Sequence, residues 1–109
     1  DIMFEDGNYY VGDSFIATSE ATVQVLNYLN NDEVYKKFRI RIASTSTFPE
    51  DKLEKIEVVI NKNKKMDFDE PNDLFFSVRE IGHGATNFLI TVYYESGLTD
   101  STEVRLLLK

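Results

Sequence analysis

The residues best placed to do chemistry lie in the run Asp67-Phe-Asp69-Glu70-Pro-Asn72-Asp73. Asp67 and Asp69 fall two apart, on one side of an extended segment, with further oxygens from Glu70, Asn72 and Asp73 close by. Calcium takes about six to eight oxygen ligands in flexible geometry, so Asp67, Asp69 and Asp73 are the residues that such an ion would use. The run lacks the glycine and the closing Glu of an EF-hand loop, and Lys62, Lys64 and Lys65 stand beside it as charge partners. A solvated acidic loop is the competing reading, and the weightier one.

Other catalytic arrangements find less support. Glu54 with Glu57, or Asp67 with Asp69, has the residue types of a glycosidase pair, but nothing in the sequence around either would raise one pKa above the other. His83 is the only histidine, lies between Gly82 and Gly84, and reads as an exposed bend residue. There is no cysteine, which removes disulfides, zinc ribbons and thiol nucleophiles together. A transition-metal site would then have no cluster of ligands. The chain is expected to be non-catalytic, with calcium the only cofactor in view.

Charge narrows the partners further. The chain carries 19 acids against 12 bases, a net charge of −7. A surface of that sign repels phosphate backbones and anionic lipid headgroups, so neither nucleic acid nor a membrane surface is an expected partner. No apolar run is long enough for a spanning helix. The opening at Asp1 is what a mature secreted domain or a trimmed segment shows.

The elements that would position these residues read as strands. At 109 residues the chain has the size of one domain with its own core. Its aromatics are all Phe and Tyr, and with many Val, Ile and Thr this suits strands over helices. Two short extended segments, 1–7 and 8–13, end at Gly7 and Gly12-Asp13, and Ser14–Thr18 follows. Ser19–Asn31 carries a capped helical pattern and a β-branched alternation at Thr22-Val-Gln-Val25; Asn27, Asn30 and Asn31 tip it toward strand. Lys37–Ala43 alternates strictly, with Phe38, Ile40 and Ile42 inward and Arg39 and Arg41 outward. A polar loop over 44–51 precedes a strand at Leu53–Ile60, a tight turn at Asn61–Lys65 and a short edge strand at Met66–Phe68. Leu74–Arg79 puts Leu74, Phe76 and Val78 on one side. The hairpin that closes the chain has Phe88, Ile90, Val92 and Tyr94 inward on its first strand, then Val104, Leu106 and Leu108 on its second. Frequent turns, alternation on each strand and no βαβ rhythm predict an all-β antiparallel sandwich of about seven to nine strands.

From Leu53 onward the sequence resembles bacterial immunoglobulin-like domains of secreted and surface proteins. The matching features are a strand like Lys55-Ile-Glu-Val-Val-Ile60, a tight polar turn, a Pro-containing loop at Glu70-Pro71 and an aromatic strand at Phe75-Phe76. A Gly-polar bend at Gly82-His-Gly84 follows, then a strand ending Tyr94-Glu-Ser-Gly97, a polar turn and a final alternating strand over Ser101–Lys109. Phe38–Ala43 matches the strand before these. The resemblance covers residues 37–109, departs from the usual Asp-Gly turn at Asn61-Lys-Asn63-Lys, and does not account for the first 30 residues. It implies a single immunoglobulin-like domain, with its core in 37–109 and additional strands in 1–36. It also implies an extracellular bacterial module, a spacer, an adhesive unit or an accessory to an enzyme, anchored to lipid where a further segment provides for it. It carries no catalytic residue.

The outward faces hold more apolar side chains than solvation needs. Val59, Phe75, Leu89, Tyr93 and Leu107 all oppose the inward set, and together they would form an interaction surface. Its covering is the N-terminal 30 residues, a neighbouring domain or a second copy of the chain, or a ligand. Tyr9, Tyr10, Tyr28 and Tyr35 have the ring faces to stack on sugars. Two functions follow as expectations: a structural or adhesive module of a bacterial secreted or surface protein, or an accessory carbohydrate-binding module.

Overall fold

A computed structural model describes residues 2–5, 8–11 and 14–109, with side chains from residue 19 onward. Alternation produces strands throughout: β1 (Ile2–Glu5), β2 (Asn8–Val11), β3 (Ser14–Thr18), β4 (Ala21–Val25), β5 (Asp32–Val34), β6 (Lys37–Arg39), β7 (Ile42–Ser46), β8 (Leu53–Ile60), β9 (Lys64–Phe68), β10 (Phe75–Ser77), β11 (Gly84–Tyr94) and β12 (Thr99–Leu108). β1, β2 and β3 pair antiparallel with one another. The turns expected at Gly7 and Gly12-Asp13 lie outside the described residues.

Strands β4–β12 build a two-layer sandwich. One layer is a five-stranded sheet in the order β5-β12-β11-β8-β9. All its pairings are antiparallel except β5 with β12, where Asp32, Glu33 and Val34 run parallel to Leu106, Leu107 and Leu108. The other layer consists of β4 paired with β7 and β10 paired with β6. Both inner faces meet in one core of Val, Ile, Leu and Phe, the arrangement that strands with one apolar face require. Phe38, Phe76 and Phe88 pack at its centre with ring centroids 5.2–5.9 Å apart. Every inward residue expected on 38–42, 56–60, 74–78, 88–94 and 104–108 is buried.

Three expectations change. Lys37–Ala43 is not one strand: its apolar side chains do point inward, but β6 and β7 pair with different partners on either side of Ile40 and Arg41. Asn27 spans the break. Its side-chain Oδ1 accepts the Arg41 N–H at 2.9 Å and its Nδ2 donates to the Arg39 carbonyl at 2.8 Å, so a carboxamide takes the place of a paired strand. The polar loop placed over 44–51 begins three residues later, because β7 runs on to Ser46. Leu74–Arg79 forms only three strand residues. The Val78 N–H donates to the Lys36 carbonyl, and the chain then coils into one helical turn, α1 (Val78–Ile81), closed by Gly82 N–H on the Val78 carbonyl.

The sandwich also reaches further toward the N-terminus than residue 37. β4 and β5 belong to it and supply Ala21, Val23 and Val34 to the core. Ala21–Val25 is a strand, as the β-branched alternation predicts. β4 would leave an open backbone edge, and Asp100 at the start of β12 covers part of it by accepting the Val23 N–H at 2.9 Å. The turn after β8 is tight because Asn61 and Lys62 both take positive φ, 51° and 64°, the conformation of a hairpin whose twist matches its strands.

Candidate interaction surface

The five outward apolar residues do not assemble into one patch. Val59 and Leu89 are direct cross-strand neighbours on β8 and β11. Thr91 separates Leu89 from Tyr93 on the same face, and Tyr93 lies opposite Lys55, whose Nζ stands 4.7 Å from the ring centroid. Leu107 faces Ala85 on one side and Glu33 on the other. Phe75 is in the other sheet altogether, 59% exposed, with the Arg39 guanidinium 5.6 Å from its ring. Register decides this: the residues share an outward orientation, but polar side chains interleave between them.

The acidic run likewise fails to converge. Asp67 sits on edge strand β9 opposite Glu57. Glu57 also binds Lys65 at 3.0 Å, and this hydrogen-bonded contact is the main reason that the Lys65 ammonium titrates above its ordinary range. β9 ends at Phe68, Asp69 follows in a bend, and Asp73 closes a single 3-10 turn at Pro71–Asp73. Among the described residues no three His, Asp or Glu side chains are grouped to hold a metal ion. The three carboxylates proposed for calcium therefore do not form a ligand cluster. Glu54 is the extra residue at a register shift where Tyr93 pairs with Lys55 and Tyr94 with Leu53, whereas Glu57 lies in the regular part of β8 opposite Thr91. His83 is exposed between two glycines at φ 112° and 120°.

The tyrosines divide. Tyr28, half-buried at the core rim, packs edge-on against Phe38, and burial, then the Asp32 charge, raises its phenol pKa. Tyr35 is 60% exposed beside the β5–β6 turn. The side chains of Tyr9 and Tyr10 lie outside the described ones.

One cluster is visible only once the strands are paired. Lys37 and Arg39 on β6 lie directly opposite Ser77 and Phe75 on β10, which puts all four on one outer face. Arg41, exposed, lies in the break between β6 and β7, beyond which come the pairs Gln24 with Ala43 and Thr22 with Thr45. Two open grooves mark this face. One of about 290 Å³ is lined by Thr22, Val23, Gln24, Ala43 and Thr45. The other, about 220 Å³, is lined by Lys37, Phe75, Phe76, Ser77 and Glu80. The alternating Lys-Phe-Arg-Ile-Arg of 37–41 was the available signal, a base at every second position.

Asp51 forms a polar tie away from this face. Its carboxylate accepts bonds from the hydroxyls of Ser46 and Ser96 and from the Ser96 N–H, linking the loop after β7 to the turn between β11 and β12. Desolvation alone would raise its pKa, but those hydrogen bonds outweigh it and the carboxyl titrates below its ordinary value.

No protein-family model matches the sequence, and no curated protein sequence does. Two solved structures share the architecture. One is a structure of Clostridium thermocellum CbhA fibronectin(III)-like modules, 12% identical, with a TM-score of 0.57 over 81% of this chain and 97% of that one. The fold is an immunoglobulin/fibronectin(III)-type β-sandwich. The other is the endo-beta-1,4-mannanase from Thermotoga petrophila, 13% identical, with a TM-score of 0.59 over 83% of this chain. This chain spans only 20% of the mannanase's length, so there the same fold is one part of a larger protein.

Proposed function

We propose that the chain is a non-catalytic structural or adhesive module of a bacterial secreted or surface protein, acting on a neighbouring domain or a second protein. The observation that carries this reading is the near-complete overlap with the fibronectin(III)-like structure, 97% of that chain, which makes this fold a module in its own right. Its appearance within one fifth of a mannanase supports a role beside other domains. The resemblance of residues 37–109 to bacterial immunoglobulin-like domains supports the extracellular setting. The test has two arms. Purified protein is assayed against a panel of polysaccharides and esters, with no turnover expected; turnover abolished by a single carboxylate substitution would refute the non-catalytic reading. Fractionation of the source cells is expected to place the protein at the surface or in the medium, and recovery in the cytoplasm alone would refute the setting.

A second reading, an accessory carbohydrate-binding module, is favoured by the exposed Phe75 held against Arg39. An aromatic ring beside a planar cation on a flat sheet face supplies both a packing surface and directed donors for a sugar.

A further inference from the structure

We propose that the outer face of β6 and β10 binds an acidic polysaccharide, one bearing carboxylates on its sugar rings. This rests on the carbohydrate-binding form of the proposed function and adds the face and the ligand class.

The argument begins from charge. The protein is strongly acidic, yet Lys37 and Arg39 lie on one face of β6, and Arg41 is exposed at the break just beyond it. Among the described residues, ion pairs form at Glu57 alone, so none of these three bases is in an ion pair with a described carboxylate, although Glu80 lines the same groove as Lys37. A group of cations outside ion pairs in an otherwise anionic protein attracts an anion to that face and repels it elsewhere. Lys37 and Arg39, two apart on a strand, stand about 6.7 Å from each other, a spacing that suits an extended polymer.

Shape separates a sugar chain from an acidic peptide. Peptide anchors bury aromatic or aliphatic side chains in desolvated pockets, whereas the grooves here are open and set hydroxyl, amide and charged groups beside apolar surface, the combination of polar edges and apolar faces that a sugar ring presents. Phe75 offers exposed ring surface for the apolar side of a sugar. The Arg39 fork beside it is pre-organised to take a carboxylate in bidentate fashion. Thr22, Gln24 and Thr45 continue the face with hydroxyl and amide partners for ring oxygens.

The experiment is affinity electrophoresis of the full chain in gels containing polygalacturonate, neutral galactomannan or poly-glutamate. Wild-type protein is expected to be retarded by polygalacturonate, less so in high salt, and only weakly by the other two. Replacing Lys37, Arg39 and Arg41 together by Gln is expected to weaken retention by about tenfold or more, the loss of charge-assisted bonds. Phe75→Ala is expected to weaken it as well. Melting curves check that each variant is folded, and Lys37→Gln and Arg41→Gln alone repeat the test if the triple variant is not. Equal retardation by poly-glutamate would overturn the polysaccharide assignment. Unchanged retention in the folded variants would overturn the face while leaving carbohydrate binding intact. Retardation by galactomannan and not polygalacturonate would overturn the charge argument alone. No retardation by either polysaccharide would sink both this inference and the carbohydrate reading.

Discussion

Removing the Asp100 carboxylate should destabilise the fold at a site 77 residues away in sequence. Val23 is buried, and its N–H points to the open edge of β4, where Asp100 Oδ2 takes it at 2.9 Å. In Asp100→Ala a mostly desolvated donor loses a charged acceptor. Hydrogen bonds to charged groups are worth about 1.5–3 kcal/mol, and an orphaned buried donor costs a similar amount. For a domain of this size each kcal/mol moves the melting midpoint by roughly 3–6 °C, so the expected fall is about 5–15 °C. Asp100→Asn keeps an acceptor without the charge and should lose roughly half as much. Glu103→Ala, an exposed position on the same strand, serves as the control and should stay within about 0.5 kcal/mol of wild type. Thermal and urea unfolding followed by far-UV circular dichroism measure all three. A midpoint for Asp100→Ala indistinguishable from the control would show that water satisfies the Val23 N–H and that β4 needs no cover.

Other expected outcomes are more local. Asp51 has a folded pKa below its ordinary value of 3.8. Its contribution is therefore present above that value and lost as pH falls through the lower folded one, so Asp51→Asn should flatten the acid limb of a melting-point-versus-pH curve, and an unchanged limb would contradict the tie to Ser46 and Ser96. Lys62→Gly should stabilise by about 0.5–1 kcal/mol, because it places glycine at a φ of 64° and creates the Asn-Gly pair that such hairpins favour; a lower urea midpoint would argue against that turn geometry. Excess calcium should leave the melting midpoint unchanged, since Asp67, Asp69 and Asp73 do not converge; a rise that Asp67→Asn abolishes would reinstate the site.

The long strands β11 and β12, and β8 from Lys55 onward, were legible because their alternation is local and uninterrupted there, and a sheet face buried on one side leaves no other way to place Ile56, Phe88 or Leu106. The break at Ile40–Arg41 was not, because what permits it is the Asn27 carboxamide, remote in sequence and indistinguishable there from any loop Asn. Val34 gave no periodic signal, since β5 is three residues long and its partner is the far end of the chain. The surface shows the same division. That Phe75 and Arg39 face outward follows from period two, but that they face each other depends on β6–β10 pairing across 36 residues of sequence. The five apolar positions were rightly oriented, yet their grouping into one patch required a register that alternation alone does not specify.

The parallel pairing of β5 with β12 has a mechanical consequence. Because the two strands run in the same direction, tension applied between the chain preceding Asp32 and the chain following Leu108 draws them past each other along their length. The hydrogen bonds between them, together with those that Arg105 makes with Asn30 and Asn31, are then loaded side by side in shear, and none can open first as in an unzipping hairpin. A sandwich held in that way resists stretching along that direction more than one held by an antiparallel pair would.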